Sequence, residues 1–234
     1  MADHLATTRH APAAPAPTAG RGRPVPARTR VLLRCGAAAG PLYVVVGLIE
    51  GLTRRGFDLT HQDLSLLSNG PLGWIHITLF LTTGVLVLLG AVGMRAALRG
   101  PTRAPVLIGV FGAGLIGAGV FVADPMGGFP PGTPPGTPSH VTLHGTGHFV
   151  TAAIGFIGLL VACAMFARHF ARAHERGWAI YTALTGIAFL AAFVGIASGS
   201  TAAPVVIGFW IAVVLAFSWL SLLCERFLRG HIQP

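Results

Sequence analysis

Long apolar runs alternate with short polar connectors along this chain. Six runs approach the roughly 20 residues, at about 1.5 Å rise each, that a bilayer crossing needs. They cover 31–52, 74–94, 104–123, 147–167, 177–198 and 205–224. The pattern predicts an all-α polytopic membrane protein, a six-transmembrane-helix bundle occupying residues 31–224. No run repeats another, so neither a solenoid nor an inverted pair is expected. Residues 1–30 are rich in Ala, Pro, Thr and Arg with little to bury, which predicts a disordered tail, and 225–234 form a short second tail. The first run ends Ile49-Glu50-Gly51-Leu52-Thr53-Arg54 with no small-residue cleavage site, so it reads as a retained helix.

Composition supports a lipid solvent. Only 10% of residues are charged and 53% are hydrophobic, where a soluble domain carries about 25% charged residues. The net charge of +9 raises nucleic acid as a partner. However, the cations sit between apolar runs and do not form a patch interleaved with aromatics, so no nucleic acid is expected. All 16 cations are Arg, and with the wealth of Ala, Gly and Pro this composition suggests a GC-rich bacterial genome and hence the cell membrane.

The arginines also orient the bundle. Arg9, Arg21, Arg23, Arg28, Arg30 and Arg34 precede or begin the first run, and Arg95, Arg99 and Arg103 follow the second. Arg168, Arg172 and Arg176 separate the fourth and fifth, and Arg226 and Arg229 follow the sixth. The alternate connectors hold only Arg54 and Arg55. Positive residues stay inside, so both termini are expected in the cytoplasm. The Arg-rich tail would attract anionic lipid at about 1 kcal/mol per residue near the surface. Trp74 and Trp178 at run ends fit interfacial anchors. Cys35, Cys163 and Cys224 form no C-x-x-C and read as small buried hydrophobes.

Chemistry-capable residues gather on the outward connectors. Gly112-Ala113-Gly114-Leu115-Ile116-Gly117 is a literal G-x-G-x-x-G, but no strand precedes it, so a dinucleotide site is rejected. The row Gly109, Ala113, Gly117 reads instead as a helix-packing stripe. Glu50 and Arg54 are one turn apart and read as an interfacial ion pair before a proton relay. The connector 124–140 carries a Pro- and Gly-rich, polyproline-like run, and Asp124 before Pro125 ends the third helix at the outer surface. Thr137 as N-cap with Pro138 at the first helical position would begin the fourth helix. His140, His144 and His148 would then share one stripe, able either to chelate a divalent ion or to hydrogen-bond as interfacial imidazoles. The first outward connector adds His61, Asp63, Ser65, Ser68 and Asn69, with His76 just inside the second helix.

The pattern resembles an uncharacterised bacterial and archaeal membrane family, domain of unknown function 998. The resemblance rests on Gly40-Pro41, on Asp63-Leu64-Ser65-Leu66-Leu67-Ser68 before Gly73-Trp74, on Ala123-Asp124-Pro125, and on Phe129-Pro130 with the following His144. It implies a multi-helix membrane protein and supplies no activity. A weaker likeness to alkaline-ceramidase-like membrane hydrolases implies Ser68, His76, Asp124, His144 and His148 in their catalytic and zinc-binding order. Six helices instead of seven, and the His pair on the fourth, depart from that pattern. The best functional expectation is a metal-dependent lipid or envelope hydrolase, with His76, His144 and His148 holding zinc and Asp124 accepting a proton from its water. A small-solute or proton transporter and a non-catalytic membrane partner or sensor are the alternatives; the oligomeric state is left open.

Overall fold

A computed structural model describes residues 25–98, 103–138 and 140–230. The expected disordered, anionic-lipid-binding tail falls largely outside them, as do Arg9, Arg21, Arg23 and Arg99. Six α-helices are described: α1 Ala27–Thr53, α2 Gly73–Ala97, α3 Ala104–Val120, α4 Leu143–Arg172, α5 Arg176–Ala197 and α6 Ala203–Leu228. A 3-10 turn, Leu64–Ser68, lies between α1 and α2, and no strand is present among the described residues. The all-α expectation holds. Five helices are long and apolar enough to cross a membrane; α3, at 17 residues, is apolar but shorter.

Each helix packs on its chain neighbours, and α6 closes the ring against α1. Antiparallel packing is visible in contacts that run in opposite order along paired helices: Gly36 with Cys224 and Gly40 with Phe217, Phe149 with Phe193 and Phe156 with Phe189, Phe189 with Phe209 and Gly195 with Val205. The ring therefore puts the connectors carrying Arg54 and Arg55 at one end. Arg95, Arg103, Arg172 and Arg176 collect at the other.

Two boundaries differ from expectation. α3 stops at Val120, three residues early, because its free carbonyls are taken up from outside the helix. His148 Nδ1–H donates to the carbonyls of Ala118 (3.0 Å) and Phe121 (2.8 Å). α4 starts at Leu143 with Thr142 as its cap, not Thr137, whose segment stays in the connector. Thr142 Oγ1 accepts from the Gly145 N–H at 3.0 Å, which satisfies a free donor of the first turn. His140 consequently lies outside the helix, exposed, and the expected three-histidine stripe is broken.

The small-residue row is also corrected. Ala113 faces outward, and a Cβ on Gly109 would make only ordinary contacts. Gly117 of the row does approach α4 closely, an added Cβ falling 2.6 Å from Thr151 Cβ. The other close approaches involve Gly114, whose added Cβ would sit 2.7 Å from the Gly155 Cα on α4, and Gly112, which would sit 2.9 Å from the Gly84 carbonyl on α2. α3 is gripped from both sides, so its glycines serve two interfaces and not one stripe.

Candidate functional site: a polar-mouthed cavity in the ring

The two long connectors at the Arg-poor end converge. Gln62 Nε2 donates to the Gly127 carbonyl (2.7 Å) and Asn69 Nδ2 to the Ala123 carbonyl (3.1 Å). Phe57 meets Phe129 edge to face, with centroids 5.2 Å apart. Gln62 did not stand out in the sequence, because a lone amide in a connector carries no periodic signal; Phe129 did so only through the Phe129-Pro130 motif of the resemblance.

A buried charge node holds this lid onto the helices. Arg54 Nη1 reaches Glu50 Oε1 at 3.4 Å, and their side chains are 8% and 5% exposed. Arg54 also donates to the carbonyls of Leu67 (3.2 Å) and Asn69 (2.6 Å), and its guanidinium lies 5.6 Å from the Phe129 ring centre. The other Glu50 oxygen accepts from His76 Nδ1 at 2.8 Å. The Glu50–Arg54 pair is thus not an interfacial ornament but a dry three-residue node across α1, α2 and the connector. Charges this deep are stable only when paired and hydrogen-bonded, which they are.

Other expected residues are also committed to local structure. Both Asp124 oxygens accept from Thr142, from its N–H (2.8 Å) and its hydroxyl (2.5 Å). Gly145 permits this approach: a Cβ there would collide with the Asp124 carboxylate. Ser68 Oγ donates to the Ser65 carbonyl (2.5 Å), and Ser68 is buried. His61 pairs with Asp58 at 3.0 Å on the exposed surface. Hydrogen bonds from the Thr60 hydroxyl and N–H hold the Asp58 carboxyl below its usual range. His144 is exposed, its ring 6.0 Å from that of Phe121.

The described residues do not gather the three imidazoles expected to hold zinc. Among the described residues, no group of three or more His, Cys, Asp or Glu side chains is disposed to hold a metal ion. His76 is turned to Glu50, His148 to the end of α3, and His144 outward. The His76 and His148 rings both contact Phe80, with ring centres 4.7 and 6.0 Å from it.

The ring instead encloses a cavity of about 500 Å³ under the converged connectors. Its walls are aromatic and aliphatic, with Phe111, Phe156, Phe189, Phe209 and Phe217 from four helices. Its mouth is polar, with His61, Asp63, Ser65, Asp124, His148 and Thr201. Asp63 Oδ1 is buried there without a hydrogen-bond partner, and burial pushes the Asp63 carboxyl up to about 6. Tyr43, missed in the sequence because it falls in an apolar run, lines the cavity and stacks on Phe217 at 4.5 Å.

A closed ring of apolar helices around such a chamber defines a multi-span membrane protein. A family model described as "Protein of unknown function (DUF998)" matches residues 37–225, and the chain belongs to that family. No curated protein and no solved structure matches the chain.

Proposed function

We propose that this chain is a six-pass protein of the cell membrane that binds an amphiphile. Its polar head would sit at an extracytoplasmic mouth and its apolar chain among the phenylalanines. The cavity carries this reading: about 500 Å³ falls within the roughly 300–1,000 Å³ of small-molecule sites. Its polarity grades from a hydrogen-bonding rim to a dry aromatic floor, which matches a molecule built the same way. The orientation follows from the arginines gathered at the opposite end, which positive-inside asymmetry puts in the cytoplasm together with both termini. Hydrolysis has less support than binding. Of the residues that would carry it, Ser68 and Asp124 are spent on neighbours in the fold, and His76 is tied to Glu50 through Nδ1 and keeps only a buried Nε2 without a partner.

Mild-detergent purification followed by lipid extraction and mass spectrometry tests the reading. The expected result is close to one amphiphile per chain, displaced in Ala152→Phe, which fills the cavity wall. Chains that carry no amphiphile, or carry it equally well when the cavity is filled, would defeat the proposal. Accessibility labelling of cysteines introduced at His61 and at Arg95 tests the orientation, with His61 expected to react from outside.

A further inference from the structure

Resting on the amphiphile reading, the geometry points to Asp63 as the anchor for a protonated amine in the ligand's head. The cavity rim holds two carboxyl groups, and only one is at liberty. Asp124 has both oxygens engaged by Thr142, whereas Asp63 lines the cavity and its Oδ1 is buried with no partner. The carboxyl is also fixed in place. The preceding residue, Gln62, is pinned across the mouth to Gly127, and the following one, Leu64, packs against Gly47 of α1.

A buried carboxylate that lacks a partner needs a donor, and a cationic donor meets both its hydrogen-bonding and its charge requirement. Among the described residues the rim supplies no permanent cation. The chain contains no Lys, no described Arg lines the cavity, and of the two rim imidazoles His61 is paired with Asp58 and His148 donates to the end of α3. Of the two arginines on the same connector, Arg54 is engaged by Glu50, Leu67 and Asn69, and Arg55 is exposed and does not line the cavity. A phosphate or carboxylate head would meet Asp63 with no cation to offset the repulsion. A plain alcohol would give it a hydrogen bond but leave the charge uncompensated. The amine fits both demands.

Purified full-length protein is titrated at pH 7.5 with dodecylamine, dodecanol and dodecyl phosphate. Native mass spectrometry reads occupancy, and Ala152→Phe serves to subtract binding outside the cavity. The amine is expected to bind about tenfold or more tightly than the alcohol, as a charge-assisted hydrogen bond provides, and the phosphate least. Asp63→Asn is expected to erase the amine's advantage, while Asp63→Glu, which keeps the charge, and Asp58→Asn, on the exposed surface, retain it. If amine and alcohol bind the wild-type cavity equally, or Asp63→Asn binds the amine as tightly as wild type, the amine anchor is overturned and the amphiphile reading stands. If none of the three probes occupies the wild-type cavity, both fall.

Discussion

The outward corner formed by α1, α2 and their connector differs sharply from α5, on the far side of the same cavity. α2 buries eleven residues along its length, whereas α5 buries Thr182, Thr185 and Phe189 alone. The corner is locked by charge through Glu50, Arg54 and His76. α5 is held by rings, with Phe189 edge-on to Phe156 at 4.9 Å, and by Trp219 Nε1 donating to Thr182 at 3.0 Å. The corner is therefore fixed in register by directional bonds, whereas α5 has its directional ties in its first half, at Glu175 and Trp178 with Arg226 and at Thr182 with Trp219, and beyond Thr185 is kept in place by adaptable apolar contact. A binding cavity that must admit a ligand from lipid benefits from that inequality, since the less buried element opens at lower cost.

Four substitutions test the contrast. The largest effect is expected from Arg54→Ala, which strands Glu50 and frees two connector carbonyls. Breaking a buried pair costs about 3–5 kcal/mol, read as a lower midpoint in thermal unfolding. Loss below about 1 kcal/mol would show that the corner is not locked by charge.

Asp63→Asn should act in the opposite direction. The Asp63 carboxyl titrates near 6 in the folded chain against an ordinary value of 3.8, so folding favours its protonated form. At pH 7.5 it is ionised in both states and its burial opposes folding; that cost shrinks as pH falls through 6 and is gone below the ordinary value. Two units correspond to about 3 kcal/mol, so the Asn variant should be the more stable at pH 7.5 by up to that amount and equal near pH 3.5. Asp58, His61, Asp124 and His148 share the region, so the comparison is made between variant and wild type at each pH. A stabilised variant also means that its lost amine preference is not a folding defect.

Thr182→Val removes the acceptor of the buried Trp219 N–H, at about 2 kcal/mol. Amide exchange should accelerate in α5 before α2, and uniform acceleration would erase the distinction between the two walls. Gly145→Ala, which pushes Asp124 off the start of α4, should cost about 1 kcal/mol, as loss of a helix cap does. Its effect should stay local to the connector and the first turn of α4.

The sequence was most legible where one physical demand acts along a continuous stretch. Apolar runs long enough for lipid located all six helices, because every turn of a membrane helix repeats the same requirement. Local chemistry at ends was less legible. Thr137-Pro138 and Thr142 are both acceptable starts for α4, and the choice fell to Thr142 because Asp124, eighteen residues earlier, reaches it. The small-residue row held at Gly117 and failed at Gly109 and Ala113, because Gly112 and Gly114 point to different neighbours, which a single-helix spacing rule does not register. The expected gathering of polar groups at one end was sound in outline, since alternate connectors of an antiparallel ring must share a face. Its chemistry was not: His76, His148 and Asp124 look like ligands when counted by type, and each is held by a partner distant in the chain, Glu50, the end of α3 and Thr142, with only His76 Nε2 left without one.

By itself, then, the amino-acid order determined the solvent, the helices and the asymmetry of charge, all of which follow from sums over neighbouring residues. Only the tertiary structure decided which polar atoms are spent and which remain at liberty. Hydrogen bonds are satisfied pairwise across space, and closing α6 onto α1 is what turns six separate apolar helices into the walls of one chamber.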